Sequence, residues 1–252
     1  AADRSVSRRA GVAVLDQIGR FINDSHRLDS IQMNFVFCYF RPENKFPNRV
    51  FGGVTGNTKD PKGCSLDTFA YFHYQKIFSS ELKLSEPWKL MKTQPEDLLE
   101  LKNFYEHWSG GLMLNALELE QGSENLDDLS KEYQKLGLKR ERHLVSLKKD
   151  GILKAVVVIN ISDIGLNLAD LTSTVQVIVV DSDDFTKEIF HLMVSELSKK
   201  FEQNEIPVLV YPVEYAENYS IPYEKLYNLW VLNMQYTDHY FRHLKGLLKG
   251  TP

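Results

Sequence analysis

The hydrophobic pattern first indicates an amphipathic helix followed by a buried strand. Apolar residues recur at helical spacing over about 9–26, so one face of this segment is expected to be buried. These residues are Val12, Leu15, Ile18, Phe21 and Ile22. A continuous apolar and aromatic run over 33–40 predicts a strand that is buried on both faces. A short helix within 44–54, a loop over 56–63 and a strand over 65–74 are predicted next.

A second and longer series of elements follows a predicted linker at 79–87. Lys149–Asp150–Gly151 between two apolar runs predicts a β-hairpin, because such residues tolerate the backbone angles of a tight turn. The other predicted elements are strands at 88–92, 143–147, 152–161, 174–180 and 208–211, and helices at about 95–108, 123–137, 184–202 and 222–228. This mixture of strands and helices predicts an α/β fold.

Composition and charge exclude several classes of function. The 252 residues are 43% hydrophobic with a net charge of −4, which predicts a globular chain without a basic surface for nucleic acid. Only Cys38 and Cys64 occur, and no C-x-x-C is present, so we expect the reduced cytoplasm and no metal. No apolar run reaches the length of a membrane span. Neither a G-x-S-x-G nor a P-loop motif occurs.

The start of the first helix has the composition of an anion site. Three arginines lie close together and small residues follow them: Arg4, Arg8, Arg9, Ala10, Gly11 and Ala13. A helix start offers unpaired backbone N–H groups and the positive end of the dipole, and small side chains let a phosphate approach. The segment therefore predicts a pyrophosphate-binding turn that runs into the helix. A basic helix start without any ligand is the alternative.

The pattern R-x-x-G-x-A at Arg8–Ala13, followed by a helix and a strand, resembles the acyl-coenzyme A pyrophosphate loop of the GNAT superfamily of N-acyltransferases. The element order over 83–252 is similar to that of a complete GNAT domain, and the order over 1–82 to the C-terminal half of one. The resemblance implies tandem GNAT-like mixed sheets flanked by helices, with the first copy incomplete at its N-terminus. It also implies further domains upstream of Ala1 and a loose relation to N-acyl amino acid synthases.

The resemblance implies an N-acyltransferase. Such an enzyme moves an acyl group from acyl-CoA or an acyl-carrier protein to an amine, for example an amino acid. Acyl-CoA would be the co-substrate, and its pantetheine arm would run beside the strand at 33–40. The cofactor-binding residues implied in this way are Arg8, Arg9, Ala10, Gly11, Val12, Ala13 and Asn44.

Two departures from the family pattern bear on catalysis. The corresponding loop of the second copy, 180–185, contains Asp181, Asp183 and Asp184, which would repel a pyrophosphate and are expected to cap the next helix. In the first copy Asn44 matches the family, but the tyrosine that protonates the leaving thiolate is replaced by Phe51, which cannot donate a proton. The catalytic residues therefore stay unassigned, with the following candidates weighed against simple packing roles: Asp67, Tyr71, His73, Tyr74, Glu214 and Tyr219.

Two other functions compete with the transferase. The Phe51 substitution also fits a GNAT-like module that binds a ligand without catalysis. R-x-x-x-R at Arg4–Arg8 and N-x-S-x-x-G at Asn160–Gly165 match the two signatures with which PilZ domains bind cyclic di-guanylate, although they lie far apart in the chain. His239 and His243 are spaced as two metal ligands on a helix would be, but no third ligand accompanies them.

Overall fold

The computed structural model describes residues 4–26, 34–58, 60–76, 84–120, 131, 133–163, 171 and 173–249, with the backbone alone for 4–8, 25, 26, 57 and 58. The strands in these ranges are β1 Phe35–Phe40, β2 Cys64–Gln75, β3 Trp88–Lys92, β4 Arg140–Lys149, β5 Ile152–Ser162, β6 Thr174–Val179, β7 Glu205–Tyr211 and β8 Lys225–Asn233. The helices are α1 Arg4–His26, α2 Lys45–Pro47, α3 Gly53–Thr58, α4 Pro95–Trp108, α5 Met113–Ala116, α6 Lys187–Ser198, α7 Val213–Asn218 and α8 Thr237–Lys249. A π-helical turn, Asn48–Gly52, joins α2 to α3, and a 3₁₀ turn, Met234–Tyr236, precedes α8.

The strands form one mixed sheet in the order β1-β8-β2-β7-β6-β5-β4-β3. β6 and β7 pair in parallel, whereas β1–β8, β2–β7, β3–β4, β4–β5 and β5–β6 pair antiparallel. The predicted α/β class, with helices flanking a mixed sheet, is confirmed. The arrangement as tandem GNAT-like copies stays a prediction.

The chain forms two compact units, each assembled from separate segments. Unit 1 consists of Ala1–Asp67, Trp108–Glu118 and Tyr227–Pro252, and unit 2 of Thr68–His107 and Leu119–Leu226. The predicted domains, the C-terminal half of a GNAT-like domain at 1–82 and a complete one at 83–252, stay a prediction.

Unit 2 is built around β5, whose apolar side chains are buried along most of its length. Ala155, Val157 and Ile159 face one side of the sheet and pack with Phe190 and Met193 of α6. The predicted hairpin between β4 and β5 is confirmed. Its turn residues Asp150 and Gly151 have φ angles of 51° and 83°, which a β-branched residue would not tolerate.

Unit 1 places α1 and α8 against the strands β1 and β8. Its apolar core is formed by Val12, Phe40, Val50, Val54, Cys64, Trp230, Leu232, Tyr240, Phe241 and Leu244. α1 lies close to α8 at Gly19, where an added Cβ would stand 3.0 Å from Phe241 Cε1. Glycine at this position therefore sets how closely the two helices approach.

Several predicted boundaries and faces are wrong. α1 already begins at Arg4, so the predicted pyrophosphate-binding turn is helical. Ile18 and Phe21 were expected inside, but they are 49% and 73% exposed, because α1 packs on unit 1 through only part of its apolar surface. The helix predicted at 222–228 is replaced by β8, which begins at Lys225, and the aromatic segment after it forms α8.

Parts of two predicted elements lie outside the described residues: most of the linker at 79–87 and the first half of the helix at 123–137. Among the helices that are described, none combines the length and apolar character needed to cross a bilayer.

Candidate functional site

The predicted cofactor segment Arg8–Ala13 lies inside α1. Helical N–H groups at these positions bond to carbonyls one turn earlier, so anion binding here would depend mainly on side chains. Arg9, Ala10 and Ala13 are exposed, whereas Val12 is buried in the core of unit 1; the Arg8 side chain lies outside the described atoms. An added Cβ at Gly11 would stand 3.1 Å from Phe46 Cζ. Gly11 therefore serves the close packing of α1 on Phe46.

Asn44 occupies the N-cap position of the short helix α2. Its side-chain oxygen accepts a hydrogen bond from the backbone N–H of Phe46 at 3.3 Å. Phe46 in turn is the residue against which Gly11 packs. Two of the predicted cofactor residues thus adjoin the same phenylalanine, Gly11 at its ring and Asn44 at its backbone N–H.

An apolar cavity of about 130 Å³ lies in unit 1, next to this region. Its walls come from α1, β1, the π-helical turn, β8 with the turn that follows it, and α8: Leu15, Ile18, Gly19, Ile22, Val36, Cys38, Phe51, Trp230, Leu232, Met234, Thr237, Tyr240 and Phe241. The lining contains no charged side chain and no imidazole among these described residues. We call this space the unit 1 cavity.

The walls of the unit 1 cavity differ in exposure. The residues from β8 and α8, such as Trp230 and Tyr240, are 2% and 6% exposed. The residues from α1 and β1 are partly exposed, with Ile18 the most accessible of them, and Val36 and Cys38 half-buried. We infer from this gradient that the cavity opens on the side of α1 and β1 and is closed by β8 and α8.

Polar contacts hold α1 on α8 beside the cavity. The Thr237 hydroxyl donates to Asn23 Oδ1 at 3.0 Å, and both residues are buried. The Arg20 guanidinium lies 4.8 Å from the ring centroid of Phe241 and forms an ion pair with Asp16 at 2.9 Å. Together with the close approach at Gly19, these contacts restrict the position of the α1 wall.

Tyr240 places a phenol beside Phe51, the residue that stands where the GNAT pattern has its tyrosine. The two rings are stacked with centroids 6.5 Å apart and planes inclined by 13°. Trp230 packs on the same phenyl ring at 4.7 Å. Burial raises the pKa of the Tyr240 phenol, which therefore keeps its proton at neutral pH. Sequence reasoning missed Tyr240 because only the tertiary packing of α8 brings it to Phe51.

Both cysteines carry neutral thiols. Burial raises the pKa of Cys38 to about 12. Burial also raises the pKa of Cys64, whose sulfur lies 3.2 Å from the Thr55 hydroxyl. Since the thiolate is the reactive species, neither residue is prepared as a nucleophile.

In unit 2, three of the polar groups at the end of β2 and the start of β8 form a connected chain. The Tyr71 hydroxyl lies 2.9 Å from His73 Nε2, and His73 Nδ1 lies 3.0 Å from Glu224 Oε1. Glu224 also accepts the backbone N–H of His73, which, with the other bonds from His73, keeps the pKa of the carboxyl low. The Glu224 backbone N–H donates to the Tyr71 carbonyl at 2.8 Å, so Glu224 is bonded to β2 through both its main chain and its side chain and has a structural role. Tyr71 is fully buried, so no substrate reaches its hydroxyl.

The other candidate catalytic residues have structural surroundings of their own. Asp67 is buried and accepts a hydrogen bond from the Ser109 hydroxyl at 3.0 Å. Tyr74 belongs to the core of unit 2. The Tyr219 hydroxyl donates to the Ser182 carbonyl at 2.6 Å, and Glu214 is exposed.

The aspartates of the loop at 181–184 do not cap α6, contrary to expectation, because that helix starts at Lys187. Asp181 instead pairs at 2.5 Å with Lys154, whose side chain is 5% exposed. Asp184 pairs with Lys149 at 2.7 Å. The loop is therefore fixed by ion pairs with the β4–β5 hairpin.

The two histidines with metal-ligand spacing do not converge on one point. His243 Nε2 lies 3.0 Å from the Arg49 carbonyl, and His239 is exposed beside the Tyr236 ring. Within the described part of the chain, no three His, Cys, Asp or Glu side chains form a metal-binding group. The predicted cyclic di-guanylate signatures include the side chains of Arg4 and Arg8 and the residue Gly165, which lie outside the description.

Comparison with known proteins does not assign this chain to a family. No family model matches it, and no curated protein does. A solved structure of a functionally unknown conserved protein from Staphylococcus epidermidis ATCC 12228 is similar over 79% of this chain and 73% of its own, at 9% identity and a TM-score of 0.37. A likeness of this degree carries no argument about function.

Proposed function

We propose that unit 1 binds an acyl thioester, with the acyl group in the unit 1 cavity, which we therefore also call the acyl cavity. The observation that carries this proposal is the cavity itself, an uncharged apolar space beside the strand β1. Arg9 and Ile18 are nine residues apart on α1, roughly 14 Å along its axis and half a turn around it, so Arg9 is not on the face of α1 that lines the cavity.

The activity that we propose is N-acyl transfer, from acyl-CoA or an acyl-carrier protein to an amine. The amine nitrogen would attack the thioester carbonyl, the C–S bond would break, and the sulfur would leave as a thiolate. The Tyr240 phenol would then give its proton to that sulfur, the step for which Phe51 has no group, and would regain a proton from the amine nitrogen as the amide forms. Its place among the residues that line the cavity supports this role.

A second candidate, an acyl-binding module without catalysis, is favoured by the composition of the cavity wall. Transfer requires a base for the amine, and the described lining includes no carboxylate or imidazole. Under this alternative the ligand would bind in the same place and would not turn over.

Calorimetric titration with hexanoyl-CoA and with free CoA tests the binding proposal. Two variants provide a matched pair, since Val36 lines the cavity, whereas Val14 is exposed on α1 and is not among the lining residues. We expect Val36→Phe to weaken hexanoyl-CoA binding at least tenfold, about 1.4 kcal/mol, and Val14→Phe to leave it unchanged. Equal affinity of both variants, or of hexanoyl-CoA and free CoA for the unmodified protein, would refute the assignment.

Release of free thiol in the presence of amines separates the enzyme from the binding module. If Tyr240 is the proton donor, Tyr240→Phe should retain hexanoyl-CoA binding and lose thiol release. Thiol release that is unchanged in this variant would remove Tyr240 from the mechanism. Absence of release from the unmodified protein with every amine offered would favour the binding module.

A further inference from the structure

We infer that the acyl cavity selects neutral acyl groups of about six carbon atoms, an inference that rests on the proposed function. The volume of about 130 Å³ is the first basis for it. An apolar cavity of about 150 Å³ holds a benzene-sized ligand and stays dry without one. The space in unit 1 is therefore large enough for a hexanoyl chain and too small for a long fatty acyl chain.

The second basis is that the inner end of the cavity is closed. A longer chain would have to continue between α1 and α8, where Gly19 already lies against Phe241. The buried hydrogen bond from Thr237 to Asn23 joins the same two helices. Because protein interiors are packed as densely as organic crystals, additional methylenes would have to separate these helices.

The third basis is the chemistry of the wall. Its polar groups are confined to the Cys38 thiol, the Thr237 hydroxyl, the Tyr240 phenol and the Trp230 indole. Burial keeps the thiol and the phenol uncharged, and no cation is present among the described lining residues. A charged carboxylate at the far end of the chain would be buried without a cation among these lining residues to neutralise it, which disfavours dicarboxylic acyl groups.

The test is the affinity of the whole chain for a series of thioesters: free CoA and the acetyl, butyryl, hexanoyl, octanoyl, dodecanoyl and succinyl derivatives. Each methylene that enters the cavity should tighten binding roughly fourfold, as expected for a buried CH₂. We expect the affinity to rise from acetyl to hexanoyl and to stop rising at octanoyl. Succinyl-CoA should bind no more tightly than acetyl-CoA.

Variants that change the cavity volume should move this optimum in opposite directions. Val36→Phe is expected to shift it to butyryl or acetyl, and Ile18→Ala to shift it to octanoyl. Val14→Phe and Val14→Ala are the matched controls on the exposed side of α1, and both should retain the hexanoyl optimum. If Val36→Phe does not fold, Ile18→Ala, which shortens a half-exposed side chain, still supplies the comparison.

The outcomes distinguish the size inference from the proposed function. An affinity that keeps rising through dodecanoyl-CoA, or an optimum that neither variant moves, would overturn the size inference and leave acyl binding intact. Failure of every acyl derivative to bind more tightly than free CoA would overturn the proposed function, and the size inference with it.

Discussion

We expect Asp97→Ala to lower the free energy of unfolding by about 3 kcal/mol, the lower end of the range for breaking a buried ion pair. Asp97 lies in the first turn of α4, and its side chain is 4% exposed. Its carboxylate pairs with Lys148 at 2.6 Å and accepts the Ser146 hydroxyl at 2.8 Å and the Gln94 backbone N–H at 3.0 Å. The lower end applies because the Lys148 side chain is 19% exposed and can reach water, whereas the other two donors would lose a buried acceptor.

Urea unfolding at pH 7 measures this effect, with Glu96→Ala as the matched control. Glu96 is an exposed acid in the same helical turn, so its removal should cost less than 1 kcal/mol, as for a charge that interacts mainly with the helix dipole. When Lys148→Met is added to Asp97→Ala, the double variant should recover at least about 1 kcal/mol of the free energy of unfolding that Asp97→Ala loses. Equal losses for Asp97→Ala and Glu96→Ala would refute the reasoning.

The pH dependence gives a second check on the same residue. Burial alone would raise the pKa of Asp97, but the bonds from Lys148, Gln94 and Ser146 outweigh it and lower the pKa from its ordinary value of 3.8. The Asp97 carboxyl therefore holds its proton less tightly in the folded state than in the unfolded state. Asp97 contributes stability above about pH 4, and this contribution is lost as the pH falls through the folded pKa. The difference in the free energy of unfolding between the unmodified protein and Asp97→Asn should become smaller below pH 4.

Three further predictions follow from unit 1 and from the end of β2. Gly19→Val should destabilise the chain by about 1–3 kcal/mol in urea unfolding, because its Cβ would stand 3.0 Å from Phe241; an unchanged midpoint would mean that α1 and α8 are less closely packed than described. The hydrogen bond from the His73 N–H lowers the pKa of Glu224, so the ionised carboxylate stabilises the folded chain. Glu224→Gln should therefore be less stable than the unmodified protein in urea unfolding at pH 7, and this difference should shrink as the pH falls below 4. Cys38, with a pKa of about 12, should be alkylated by iodoacetamide at pH 8 far more slowly in the folded chain than in urea, as measured by mass spectrometry, and equal rates would contradict its burial.

Local patterns were sufficient for some of the fold. The β4–β5 hairpin follows from Asp150 and Gly151 between two apolar runs, and the start of α4 follows from Pro95 and the acids after it. These features depend on residues that are neighbours in the chain, where propensity and periodicity are informative. The α/β class could be predicted for the same reason.

The surroundings of the acyl cavity could not be predicted, because they depend on contacts between distant residues. Gly11 fits a phosphate-binding pattern in sequence, yet in the structure it accommodates Phe46. Tyr240 lies 189 positions after Phe51 and meets it only through the packing of α8. The helix predicted at 222–228 overlaps only the first four residues of β8, a stretch too short for periodicity to decide between a strand and a helix.

The pairing of β1 with β8 has a consequence for the synthesis of the chain. Phe35 is opposite Asn233, so the first strand of unit 1 acquires its partner only when nearly all of the described residues have been made. Until β8 and α8 have been made, the apolar faces of α1 and β1 stay uncovered. Closing the long loop between β1 and β8 also slows folding. A ribosome that stalls before residue 225 would thus release a chain in which unit 1 has no β8 and no α8. We expect such truncated chains to require chaperones and to aggregate without them.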